Sequence, residues 1–108
     1  MKVLIVEDEK MIRELLAAYF AITGHDVLTA ENGKEAMRKI PLVDLIISGV
    51  DMPKMNGLEL IAWVREKRDI PIILMSGRPE PKEHQANAFI EKPFNFLKLG
   101  HLIEKLTK

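Results

Sequence analysis

The chain has 108 residues, a length that supports one domain able to bury an apolar core without disulfides or metal. It contains no cysteine, which excludes a disulfide framework and thiolate chemistry. Sixteen Lys and Arg balance sixteen Asp and Glu, so no global field draws the chain onto nucleic acid or an anionic membrane.

Val3-Leu4-Ile5-Val6 is a short, wholly apolar, β-branched-rich run, the pattern of a strand buried on both faces. It is too short for a signal-peptide core and runs straight into Glu7-Asp8-Glu9. No apolar run approaches the ~20 residues of a membrane span. The expectation is a soluble cytoplasmic protein. Lys10 to Ile22 reads as a helix, with Ile12, Leu15, Leu16, Tyr19 and Phe20 on one stripe and Gly24 at the C-terminal cap. Asp26 to Ala30 is a second strand. Asn32-Gly33 opens a helix whose Ala36, Met37 and Ile40 share a face, and Pro41 ends it. Leu45-Ile46-Ile47 is the third strand. A loop with Pro53 follows, then a helix to about Lys67 with Gly57, Leu60, Ile61 and Val64 in line. Ile72 to Met75 and Ala88 to Ile90 are strands four and five. Asn95 can cap a last helix in which Phe96, Leu99, Gly100 and Ile103 align.

Strands alternating with helices imply βαβ units, right-handed crossovers and a parallel sheet covered on both faces. The expected fold class is α/β: a doubly wound, five-stranded parallel sheet of flavodoxin-like type spanning residues 1–108, with about five helices. The crossover at 76–87 is out of proportion. Pro79 and Pro81 leave room for little more than one helical turn, so its helix is expected to be a stub or an irregular loop.

In such a fold, chemistry gathers at the carboxyl ends of the strands. Glu7-Asp8-Glu9, Ser48-Gly49-Val50-Asp51, Ser76-Gly77 and Lys92-Pro93 all stand there. Acids, a hydroxyl and an ammonium together suit a hard divalent cation and a phosphoryl group. Taken singly, each has a blander reading. Acids after a strand can simply favour a helix N-terminus, and Ser-Gly more often marks a turn.

Four of these stretches resemble the receiver domain of two-component response regulators. Val3 to Glu9 is similar to its acidic opening, and Asp44 to Leu60 to its central signature. Pro71 to Gly77 is similar to its fourth strand, and Asn87 to Phe94 to its fifth strand and lysine-proline step. The resemblance implies that Asp8, with Glu7 behind it, holds magnesium together with the backbone carbonyl of Asp51. It implies that Ser76 is the switch hydroxyl, Lys92 the phosphate-binding ammonium, and Phe89 the rotating aromatic. It also implies a cis Lys92-Pro93 bond.

Gly49 stands where the family's pattern has its phosphoaccepting aspartate. Glycine offers no nucleophile and removes one metal ligand. Ser48 points to the opposite face of the strand, and Asp51 would have to reach back. The expectation is a stable fold with weak or absent magnesium binding and no ordinary phosphorylation. Gly49 fits a receiver that has left phosphorylation behind, as the reduced crossover suggests. It fits a single substitution equally, as the retained Asp8, Ser76 and Lys92 suggest.

The expected role is a non-enzymatic signalling module. Its partners would be a histidine kinase or phosphotransfer protein on one side, and a downstream protein or a second copy of the chain on the other. With the chain ending at Lys108, output is expected through a partner or self-association rather than an attached DNA-binding domain. The alternative is a small phosphoryl-handling or flavin-binding protein on the same fold, which would want a phosphate-cradling loop after the first strand. Trp63 and the six methionines read as core or helix packing, and His25, His84 and His101 offer no ligand spacing.

Overall fold

The computed structural model describes residues 1–107; Lys108, where the sequence reading ends the last helix, lies outside the described residues. The strands are β1 (Lys2–Val6), β2 (Asp26–Ala30), β3 (Leu45–Gly49), β4 (Ile72–Ser76) and β5 (Ala88–Glu91). The helices are α1 (Lys10–Ile22), α2 (Gly33–Met37), α3 (Gly57–Arg65) and α4 (Phe96–Thr107), with a 3-10 turn at Ile40–Leu42. The five strands form one parallel sheet in the order β2-β1-β3-β4-β5. This is the flavodoxin-like order, with its reversal between β1 and β3.

The unbroken apolar strands follow from burial on two sides. Alternate residues of β1 enter different cores. Leu4 and Val6 join Ile46 and Leu74 against Ala36, Leu60 and Val64 on the α2–α3 face. Val3 and Ile5 join Ile47 and Met75 against Leu16, Phe20, Leu99 and Ile103 on the α1–α4 face. Each such side chain, taken fully from water, contributes about 1.5–3 kcal/mol before entropy is subtracted.

The caps at Gly24 and Asn95 fall where the sequence placed them, and α3 carries one that it did not name. Gly24, at φ 91°, turns the chain out of α1. Asn56 and Glu59 form a reciprocal capping box on α3, and Asn95 Oδ1 accepts from Lys98 N–H at 2.7 Å. Three local readings are corrected. Pro41 does not end α2, which stops at Met37; the proline sits in the separate 3-10 turn, whose first residues need no N–H. Leu15 is more than half exposed, because it lies at the edge of the α1 stripe beside the open cleft. Met11 is 82% exposed, so it does not pack as core; Met75 is buried and Trp63 half-buried under the Lys67 ammonium.

The crossover from β4 to β5 contains no helix; of the two forms expected, the irregular loop is the one present. Its backbone therefore needs partners from elsewhere. Arg65, at the end of α3, supplies one of them, its Nε donating to the Gln85 carbonyl at 2.9 Å; its Nη2 donates to Asn87 Oδ1 at 2.6 Å, and its Nη1 to the Ile70 carbonyl, ahead of β4, at 2.7 Å. Asn87 in turn pairs with β4, its N–H donating to the Ile72 carbonyl and its Oδ1 accepting from Ile72 N–H. His84 closes the loop on itself through Glu80 at 2.7 Å.

Candidate functional site

The register of the parallel strands decides which residues meet at the rim. Val6 is level with Ser48, Ser48 with Leu74, and Gly49 with Met75. One residue further along, Glu7 comes level with Gly49. Both continue the face that Ile5 and Ile47 begin, and so both point toward the α1–α4 side. Ser76 is level with Glu91, which brings Lys92 into the same pocket from the far strand.

Gly49 lies directly against the Glu7 carboxylate. A Cβ built on Gly49 would stand 2.9 Å from Glu7 Oε1. That same oxygen accepts from Lys92 Nζ at 2.9 Å, while Oε2 accepts from Glu9 N–H at 3.0 Å. Glu7 is 1% exposed. Burial pushes its carboxyl above the ordinary carboxylate range, although the Lys92 ammonium and the Glu9 amide pull the other way. Lys92 also lies 3.8 Å from Glu9 Oε1.

Around this pair, Ser76 is buried, and its Oγ accepts from Arg78 N–H at 3.0 Å. Asp8 and Asp51 are exposed, and Asp51 Oδ2 faces Arg78 Nε at 3.6 Å. The Lys92–Pro93 bond is cis. Ser48 is buried and turns its hydroxyl to the Gly49 carbonyl at 2.9 Å, so it offers no substitute nucleophile in the pocket. Phe89 lies apart, half-buried against the α2–α3 core. A cleft of about 520 Å³ opens between these rim residues and an apolar wall that includes Leu15, Phe94 and Phe96. The backbone beneath the rim is tightly drawn: Gly57 donates its N–H to the Val50 carbonyl at 2.8 Å, and a Cβ on Gly57 would run into the Gly49 carbonyl oxygen.

The residues the sequence grouped as a magnesium site do not fit that ion in this arrangement. Magnesium needs near-octahedral oxygen donors. Here Glu7 is committed to Lys92 and position 49 contributes no side-chain oxygen, which leaves the exposed Asp8 carboxylate and the Asp51 backbone carbonyl as the remaining donors of the expected set. Among the described residues no three His, Asp or Glu side chains gather closely enough to hold a metal. Nor does the loop after β1 cradle a phosphate, as the flavin alternative requires: it presents one buried and two exposed acids.

Sequence reasoning missed two arginines. Arg13 Nη1 donates to the Glu7 carbonyl at 2.8 Å and its Nη2 faces Glu31 at 3.3 Å, so it braces the acidic loop from below. The available signal was an arginine within the apolar stripe of α1. Arg78 shields Asp51, and nothing in the sequence places it there.

No helix among the described residues is long and apolar enough to cross a membrane. Residues 3–104 match the family model described as the response regulator receiver domain. The transcriptional regulatory protein KdpE of Staphylococcus aureus is 35% identical over 99% of this chain and 51% of its own length. The chain thus spans about half the length of the curated relatives it matches. Chemotaxis protein CheY4 of Vibrio cholerae superposes with a TM-score of 0.90 at 32% identity, covering 97% of each chain. Response regulator TrrA of Thermotoga maritima, crystallised with Mg(2+)-BeF, gives a TM-score of 0.87 at 36% identity over 97% of each chain. A structure of TrrA with histidine kinase ThkA gives 0.87 at 35% identity over 99% of this chain and 98% of that one.

Proposed function

The chain belongs to the family of response regulator receiver domains, and from that premise we propose that it signals through protein contacts without being phosphorylated at position 49. Receivers of this family are signalling modules, and they generally bind magnesium. One observation carries the finer reading: the room beside Gly49 holds no acceptor on that residue and is filled by the Glu7 carboxylate, itself tied to Lys92.

In-line phosphoryl transfer needs a free carboxylate oxygen facing the donor phosphorus, with cations to neutralise the developing charge. Glu7 is a poor candidate, since both oxygens are engaged and the group is buried. Lys92 would hold a phosphoryl oxygen only after releasing Glu7, and Ser76 would offer its hydroxyl beside it. Magnesium binding is accordingly weak or absent, and the chain is not an enzyme. Its partners are a histidine kinase or phosphotransfer protein of the kind seen with TrrA, and a downstream protein or a second copy of the chain. Any DNA-linked output, such as the KdpE name implies, belongs to the proposal for a longer parent protein.

The test is treatment with a small acyl phosphate and magnesium, followed by intact-mass measurement, on this chain and on Gly49→Asp. The expected result is an added phosphoryl group on Gly49→Asp alone. Labelling of the present chain would refute the reading.

A further inference from the structure

We infer that Glu7 takes the place of the carboxylate missing at position 49: its side chain fills the room beside Gly49 and supplies the anion for Lys92. Lys92 thereby has a carboxylate partner that needs neither a divalent cation nor a phosphoryl group. This rests on reading position 49 as a vacated acceptor site.

The geometry is specific. Glu7 and Gly49 directly follow Val6 and Ser48, the last level pair of β1 and β3, and a methyl-sized group on residue 49 would already press on Glu7 Oε1 at 2.9 Å. A residue with a Cβ would force the carboxylate to shift from this position. The next contacts, Glu7 Cδ at 3.7 Å and the Val6 carbonyl at 3.8 Å, are ordinary packing, so the whole obstruction is one flexible side-chain end. Lys92 then finds Glu7 rather than residue 49 as its nearest acid, with Glu9 more distant at 3.8 Å. At the outer rim Arg78 Nε faces Asp51 Oδ2 at 3.6 Å. An unpaired ammonium at this depth would carry a desolvation penalty, and the Glu7 carboxylate removes it without metal.

Glu7 is thus a positioning residue whose placement depends on the absence of a side chain at 49. Two variants probe it. In Gly49→Asp the new carboxylate should pair with Lys92 and turn Glu7 outward. Gly49→Ala should displace Glu7 by bulk alone. The probe is carbodiimide-driven amidation with glycinamide, mapped by peptide mass spectrometry, with Glu9 as an internal reference. Glu7 should be protected in the present chain and modified severalfold faster in both variants. Equal protection of Glu7 in all three proteins would overturn the inference.

A double-mutant cycle provides the second readout. Coupling between Glu7 and Lys92, taken from Glu7→Gln, Lys92→Gln and the pair, should be about tenfold in folding equilibrium constant with Gly49 in place and close to unity in the Gly49→Asp background. Undiminished coupling in that Gly49→Asp background would also overturn it. These outcomes are separate from acyl-phosphate labelling of the present chain, which bears on phosphorylation itself.

Discussion

The strand-end pocket and the β4–β5 crossover each lack a part that this architecture calls for, and each is completed by a side chain from a neighbouring element. In the pocket the missing part is a charged side chain, and Glu7 moves one carboxylate into the gap beside Gly49. In the crossover the missing part is a helix, and the loop is tied down instead by Arg65, which donates to the Gln85 carbonyl and to Asn87 Oδ1, and by Asn87, which pairs with Ile72 of β4. The repairs differ in kind. The first is a single ion pair that one residue change can undo, because its obstruction is the flexible end of a glutamate. The second is a fork of directional bonds onto two carbonyls and the Asn87 side chain, so no single replacement restores a helix. A gap left by one side chain can therefore be filled by a neighbouring side chain, whereas a crossover without a helix requires anchors from other elements.

The largest effect that would sharpen this contrast is expected just beneath the pocket. Gly57→Ala sets a Cβ against the Gly49 carbonyl, which is backbone and cannot swing aside. It should cost about 3 kcal/mol in urea unfolding. The control is Gly77→Ala, where a Cβ meets nothing within 4 Å. That change should stay within about 0.5 kcal/mol. Similar losses for the two would break the claim that the backbone under the pocket is the rigid part.

Arg65→Ala comes next. It leaves the Gln85 and Ile70 carbonyls and Asn87 Oδ1 without this donor. A loss of roughly 2 kcal/mol is expected, with faster amide exchange across residues 82–87 than in the sheet. Uniform exchange would mean that the loop is not held by this fork. Asn87→Ala, which strips the side-chain acceptor from Ile72 N–H, should cost about 1–2 kcal/mol and leave Glu7 protection unchanged.

The smallest effect is a pH dependence. Glu7 departs from the usual carboxylate case, since burial raises its folded value above the ordinary 4.5. Between that value and its raised one, the folded chain binds more protons than the unfolded chain at this group. Its contribution to stability therefore falls as pH rises through this window, and grows on mild acidification. Glu7→Gln should flatten that slope in unfolding curves taken across the window. A slope of the same sign and size in the variant would assign the effect elsewhere.

Much of the fold was legible locally. Runs such as Ile72 to Met75 announce strands covered on both faces, and Asn95 announces the capped start of the last helix. The proline-bearing stretch from 76 to 87 visibly leaves room for no more than a stub helix or an irregular loop. Less legible were Leu15 and Met11, apolar by type yet exposed on α1, because a stripe's edge is set by what packs against it. In the site, the residues at the strand ends were recognisable by chemistry and order, but their pairing was not.

The sequence by itself determined the order of elements, the parallel sheet, the set of acids, hydroxyl and ammonium at one rim, and the absence of a carboxylate at position 49. These depend on periodicity and residue type within short windows. The tertiary structure alone decided that Glu7 turns into the space beside Gly49 and that Lys92, 85 residues away in the chain, becomes its partner. That choice depends on inter-strand register and on a few ångströms of free volume, which no local pattern encodes.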